Sequence, residues 1–160
     1  MQKIEFRNNK TLKISNVLFR KATDVNILSQ EKHLEVLQNW IEAKGYHTLG
    51  PLIVYTSAAQ GLDDVSMPII HTSFMIQLTN NIANPEPPYG FEKLIRVENC
   101  LFTRFNGKAE DINFASMKMQ LHAYENDVEL TGETYTVVIE ETTKEGLILA
   151  DVFMPTKPQE

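Results

Sequence analysis

The residues best suited to ligand chemistry lie in the segment 131–138, where an acid and a phenol stand two positions apart. Glu133 and Tyr135 belong to a run rich in aromatic and β-branched residues that follows Gly132, which is typical of a strand. Because strand side chains alternate between two faces, both groups should leave the same face. A carboxylate beside aromatic rings can bind an organic cation by charge and by cation–π contact. The alternative is an exposed polar face.

The composition indicates a globular chain without nucleic-acid or membrane contacts. Its 160 residues are 42% hydrophobic and 22% charged, which suits a single domain, and the net charge of −6 comes without a basic cluster. No run approaches the ~20 apolar residues of a membrane span, and residues 1–7 hold no apolar leader. The single cysteine, Cys100, is expected to be buried and indicates a reducing compartment. A cytoplasmic protein follows.

The chain has no recognisable catalytic or metal-binding motif. It contains no G-x-S-x-G, no H-E-x-x-H and no P-loop. The four histidines, His33, His47, His71 and His122, lie far apart in sequence, so we expect no metal site, no cofactor and no catalytic residue. An enzyme is therefore the least favoured class of function.

The elements of the first half follow from its apolar periodicity. Strands are predicted over 11–22, 52–57 and 67–78, the last with Thr72, Phe74 and Ile76 on its core face. A helix is predicted from an N-cap at Ser29 to about residue 44, with Gly45 as its left-handed stop. Residues 80–91 contain three prolines without periodicity and are predicted to form a linker.

The second half repeats this order of elements. We predict strands over 92–105, 131–138 and 147–154, with a turn at Asn106-Gly107 and a helix from Glu110 or Asp111 to Glu125. One stripe of that helix is apolar, and we expect it to belong to the core. The stripe consists of Phe114, Met117, Leu121 and Tyr124.

The two halves also align by residue, which predicts an internal duplication. Residues 17–19 correspond to 100–102, Tyr55 corresponds to Tyr135, and Ile53 corresponds to Glu133. The predicted fold is α+β, with duplicated β-α-β-β units related by a pseudo-twofold axis, antiparallel sheets, two helices and a central groove. The whole chain, 1–160, would be one domain, with repeat one at about 11–79 and repeat two at about 92–155.

A groove between such halves is a common small-molecule site. Tyr55 and Tyr135 would lie on its two sides, and only the second half would supply an acid, Glu133. The alternative is that both tyrosines are core residues with hydroxyls at the edge. Further walls of the predicted site are Trp40, Phe74 and Phe105.

The order and spacing of these motifs resemble the GyrI-like small-molecule-binding domain, the effector domain of AraC-type and MerR-type regulators. The resemblance covers about residues 11–155. It rests on Leu37-x-x-Trp40-Ile41-x-x-x-Gly45, Gly50-Pro51-x-x-x-Tyr55, Glu133-x-Tyr135 and the terminal Met154-Pro155.

The resemblance implies a stand-alone member that binds a small cationic or aromatic molecule, with Glu133 at the position of the family's ligand-binding glutamate. The segment 137–143 lacks the family's proline, so Glu140 and Glu141 are rival acids. Two alternatives remain open: a protein-interaction or inhibitor module that has a protein partner and no small ligand, and a hydrolase of small electrophiles.

Overall fold

A computed structural model describes residues 6–22, 30–59, 69–83, 85–142 and 145–157 of the chain. The strands and helices confirm the predicted α+β class, and every strand pairing described within a unit is antiparallel. In chain order the elements are β1 (Phe6–Ala22), α1 (Gln30–Ala43), β2 (Thr48–Ala59), β3 (Ile69–Leu78), β4 (Tyr89–Lys108), a 3-10 turn (Ala109–Asp111), α2 (Ile112–Glu125), β5 (Glu133–Thr142) and β6 (Leu147–Pro155).

The chain divides into two compact units. The first, unit A, contains the chain up to Leu12 and from Arg96 onward, and unit B contains Lys13–Ile95. The boundaries fall within β1 and β4, the two longest strands. The predicted single domain with repeats at 11–79 and 92–155 stays a prediction.

Unit B is a three-stranded sheet with α1 on one face. The strand order is β1–β3–β2, with Phe19 opposite Met75 and Val54 opposite Phe74. The helix side of this sheet carries the predicted core face of β3, which is buried as expected. Ser73 and Met75, on the other face, are buried as well. The core cluster consists of Leu18, Ala22, Leu37, Ile41, Phe74, Ile76, Leu78 and Ile82.

Helix α1 ends at the predicted glycine. Gly45 has φ +75°, and the backbone N–H groups of Gly45 and Tyr46 donate to the carbonyls of Glu42 and Ile41, each at 3.1 Å. These two bonds form a Schellman motif, which satisfies carbonyls that the end of a helix leaves open. The predicted N-cap, Ser29, lies outside the described residues.

In unit A the strand order is β4–β6–β5, and α2 packs on one face of this sheet. Leu101, Val152 and Met154 from the sheet pack against Met119 and Ala123 of α2. Two predictions are wrong here. The Asn106-Gly107 pair forms no turn, because β4 continues through it and pairs with Leu149 and Ile148 of β6.

The second error concerns the face of α2. The helix buries Ala115, Met119 and Ala123, and the apolar stripe predicted for the core is exposed to solvent. Small residues allow a helix to approach a sheet closely, so the alanine side of α2 packs against the sheet even though it is less hydrophobic than the stripe.

Among the described residues, no helix is long and apolar enough to cross a membrane.

Candidate functional site

Strand β5 begins at Glu133, directly after Gly132, whose φ of +95° turns the chain into the strand. The hydroxyl of Thr131 donates to Oε1 of Glu133 at 3.2 Å and accepts from the Glu133 backbone N–H at 3.3 Å. These two contacts hold the half-buried carboxylate at the start of the strand. Tyr135 follows on the same face and is buried, with 7% of its surface exposed.

Aromatic rings extend this face across the sheet of unit A. Tyr135 lies opposite Phe153 of β6, and Phe153 lies opposite Phe102 of β4. The rings of Phe102 and Phe153 are 5.0 Å apart between centroids and inclined at 58°. The row therefore places aromatic side chains beside the carboxylate, on the face of the sheet opposite α2. We name the set Glu133, Tyr135, Phe153 and Phe102 the acid–aromatic face.

A cation already contacts this face. The ammonium of Lys10, in the first part of β1, lies 5.8 Å from the centroid of the Phe102 ring. That distance is within the range of a cation–π contact. The face therefore accommodates a positive charge over one of its rings.

Cys100 also shares the face, since it stands two residues before Phe102 on β4. Its thiol is buried and donates to the carbonyl of Val97 at 3.5 Å. The pKa of Cys100 is raised from 9.0 to about 11, mainly by burial and also by the nearby charge of Glu133, while a hydrogen bond with the backbone of Leu12 acts in the opposite direction. The prediction of a small buried side chain is confirmed, and the raised pKa keeps the thiol protonated at neutral pH.

The other acid on this face, Asp151, forms a salt bridge within the sheet. Asp151 accepts two hydrogen bonds from Arg104, at 2.7 Å from Nε and 3.0 Å from Nη2. The same contact raises the pKa of the Arg104 guanidinium, first by the hydrogen bond and then by the charge of Asp151. A fork-shaped pair of this kind compensates both charges.

The rival acids lie at the other end of β5. A bulge between Val138 and Glu140 shifts the register, so that Glu140 faces Leu149 and Glu141 faces Ile148. Both acids are exposed. Glu140 lies seven positions after Glu133, which corresponds to roughly 23 Å of strand. The rivals are therefore distant from the row of aromatic rings.

The remaining predicted site residues occupy other faces. In unit B, Phe74 belongs to the core on the α1 side, while Tyr55 lies opposite Ser73 on the other side of the sheet. Trp40 on α1 stacks on Tyr89, with 4.4 Å between ring centroids. In unit A, Phe105 shares a face with Leu101, the side on which α2 packs.

The structure thus brings Glu133 and Tyr135 together on one face and places Phe105 on the opposite face of the same sheet. The roles of Tyr55, Trp40, Phe74 and Phe105 as ligand contacts stay predictions. Two members of the face, Phe102 and Phe153, were missing from the predicted site. The alternation of side chains along β4 and along β6 shows which face of its own strand each ring occupies. Only the register between the strands places both rings in line with Tyr135.

A separate cavity of about 400 Å³ opens at the C-terminal end of α1 in unit B. It combines the carboxylate of Glu42 with the ring of Tyr46 and the side chain of His47. The C-terminal end of a helix carries partial negative charge, so this cavity also favours positive groups. Its other lining residues are Gln38, Ile41, Gly45, Thr48 and Ile76. Among the described residues, no group of three or more acidic, histidine or cysteine side chains could hold a metal ion.

Neither a protein-family model nor a curated protein matches the chain. Solved structures do match it, among them EcmrR in a cryo-EM complex with DNA, with a TM-score of 0.66 at 11% identity over 98% of this chain. This chain spans 58% of that EcmrR chain. The isolated EcmrR C-terminal domain matches with a TM-score of 0.63 at 10% identity, over 98% of both chains.

A third match is SAV2435 bound to tetraphenylphosphonium, with a TM-score of 0.54 at 10% identity, covering 98% of this chain and 94% of SAV2435. The chain has the GyrI-like fold. At 10–11% identity, these matches show that the fold is shared. The shared fold agrees with the resemblance inferred from the sequence motifs.

Proposed function

We propose that this GyrI-like protein binds a small lipophilic organic cation at the acid–aromatic face of unit A. The observation that supports this most directly is the Glu133 carboxylate, held by Thr131 beside the row formed by Tyr135, Phe153 and Phe102. A carboxylate supplies charge, and aromatic faces supply cation–π and apolar contact to the substituents of the cation. The ammonium of Lys10 over Phe102 shows the same pairing within the chain.

The fold adds support at the level of ligand class. SAV2435, which has the same fold, is bound to tetraphenylphosphonium, a cation surrounded by aromatic rings. The predicted contacts Tyr55, Trp40, Phe74 and Phe105 lie outside the acid–aromatic face, and their role in ligand binding stays a separate prediction. The internal duplication also remains a proposal, and it is supported by the identical order of elements and by the strand order β1–β3–β2 and β4–β6–β5.

Charge selectivity tests this function. Isothermal titration of the purified protein with tetraphenylphosphonium should give saturable binding. Tetraphenylborate, which has nearly the same shape and the opposite charge, should bind far more weakly. A ligand that binds only the folded chain also raises the melting temperature as its concentration rises. Equal affinity for the two ions, or no binding of the cation, would reject the proposed function.

A further inference from the structure

The exposed side of α2 carries four large apolar residues in a single line. Phe114 is 46% exposed, Met117 61%, Leu121 55% and Tyr124 82%. We name these four residues the α2 stripe. Isolated apolar residues on a surface are ordinary, but a continuous line of four large ones is typical of a contact surface.

The spacing of the α2 stripe indicates what shape of partner it fits. Its members are separated by three, four and three residues, which is the a/d spacing of a helix that packs along a second helix. The stripe is not part of the core of unit A, because α2 packs there through Ala115, Met119 and Ala123 on its opposite side. The surface therefore suits an amphipathic helix.

The charges at the two ends of the stripe indicate which charges the partner helix should carry. Exposed Glu110 and half-buried Asp111 precede α2, and exposed Glu125 and Asp127 follow the last member of the stripe. Three ion pairs in the described part of the chain do not involve these acids: Arg96 with Glu98, Arg104 with Asp151 and Lys157 with Glu129. An acidic group thus borders the apolar line at each end.

These charges disfavour a second copy of the chain as the occupant. In an antiparallel pair of α2 helices, the acids before one helix would approach the acids after the other, and a parallel pair would align identical acids. Both arrangements bring like charges together in a protein of net charge −6. An anionic lipid surface is disfavoured for the same reason.

We infer that the α2 stripe is the docking surface for a basic amphipathic helix of another protein, with an apolar a/d seam and Lys or Arg near both ends. The acids at the two ends of the stripe are 14 to 17 positions apart in the sequence, so the basic groups of the partner should also be about 14 to 17 residues apart along its helix, which is roughly 21–26 Å. The exposed side chains offer on the order of 500 Å² on this side, which places the contact near the lower limit for a specific interface. The complex should therefore be reversible and sensitive to salt.

The test uses a fluorescent synthetic helix as the probe and the full chain as the receptor. The probe has 18 residues, leucines at four successive a and d positions, and two lysines at each end. Two matched peptides serve as controls: one replaces the lysines with glutamates, and the other keeps the composition and permutes the leucines off the seam. Fluorescence anisotropy should show saturable binding of the seam peptide and at least tenfold weaker binding of both controls.

Protein variants locate the site on α2. Met117→Gln with Leu121→Gln should weaken binding of the seam peptide at least tenfold, since it removes the middle of the α2 stripe. Gln120→Ala, at an exposed position of the same helix outside the stripe, should change binding less than twofold. Circular dichroism checks that each variant keeps its helix. The inference is overturned if the seam peptide does not bind, if the permuted peptide binds equally, or if the double variant binds as the wild type does.

Sedimentation of the unlabelled protein over a concentration series tests whether a second copy of the chain occupies the α2 stripe instead. The chain should stay monomeric. A dimer that the double variant abolishes would assign the α2 stripe to self-association and would also overturn the inference. The result is independent of cation binding, because the α2 stripe and Glu133 lie on different surfaces of unit A.

Discussion

The thiol of Cys100 is close enough to the carboxylate of Glu133 for the negative charge to add to the rise in the pKa of the thiol. The relationship joins β4 to the start of β5 on the face that carries the proposed cation site. Burial is the larger cause of the raised pKa, and the charge of Glu133 acts in the same direction. Both causes disfavour the thiolate, because each penalises a negative charge at sulfur.

A pH dependence of stability follows from this relationship. The pKa of Cys100 is about 11 in the folded chain against 9.0 ordinarily, so its contribution to stability is present below pH 9 and is lost as pH rises toward 11. The loss should be on the order of 2 kcal/mol in the free energy of unfolding. Urea denaturation at intervals across this range measures it. Cys100→Ala supplies the control, since it keeps the titration of tyrosines and lysines; equal slopes for the two proteins would contradict the prediction.

Glu133→Gln should weaken binding of tetraphenylphosphonium by about 1.5–3 kcal/mol, the usual contribution of a contact with a charged group. The amide keeps the shape of the side chain, so the melting temperature without ligand should change little. Titration calorimetry measures the affinity. Glu141→Gln, on the exposed far part of β5, and Glu42→Gln, in the cavity at the end of α1, are matched controls. A larger loss in either control would move the site to that acid.

Lys10→Met should strengthen binding of the same cation about threefold, because the ammonium over Phe102 competes for the ring and repels the ligand. Methionine keeps an apolar side chain of similar length at this position. The exposed Lys13 of the same strand provides the control, and Lys13→Met should leave the affinity unchanged. Weaker binding in Lys10→Met would show that Lys10 supports the site and does not compete with the ligand.

Gly90→Ala should destabilise the protein by about 1–3 kcal/mol, because a Cβ at this position would overlap the ring of Phe19. Gly45→Ala provides a contrast, since a Cβ there has no neighbour within 4 Å and its cost of about 1 kcal/mol comes from the positive φ alone. Urea denaturation of both variants compares them. If Gly90→Ala is no more harmful than Gly45→Ala, the close approach of the Phe19 ring does not limit position 90.

Local patterns in the sequence predicted the elements that depend on local chemistry. Helix α1 and its end at Gly45 follow from helical spacing and from the left-handed conformation that glycine tolerates. The shared face of Glu133 and Tyr135 follows from the alternation of a strand. Asn106-Gly107 shows where this reasoning fails, because pairing with β6 extends β4 through a dipeptide that otherwise favours a turn.

Features that depend on tertiary packing were harder to predict from the sequence. The spacing of Phe114 and Leu121 showed correctly that they share a face of α2, but it did not show which face meets the sheet. Burial was decided by Ala115 and Ala123, whose small side chains carry a weak hydrophobic signal. The contact of Phe153 with the row of Tyr135 required the register of β6, which depends on which strands pair.

The stacking of Trp40 on Tyr89 gives the protein a spectroscopic reporter. Trp40 is the only tryptophan in the sequence, so selectively excited fluorescence originates at one position of unit B. The centroid of its ring lies 4.4 Å from that of Tyr89, 5.9 Å from that of Tyr46 and 5.8 Å from the ammonium of Lys44. These neighbours affect the emission of Trp40. The proposed cation site belongs to unit A. A shift in this emission when a cation binds would therefore signal that the two units respond together, and a constant spectrum would confine the response to the unit that holds Glu133.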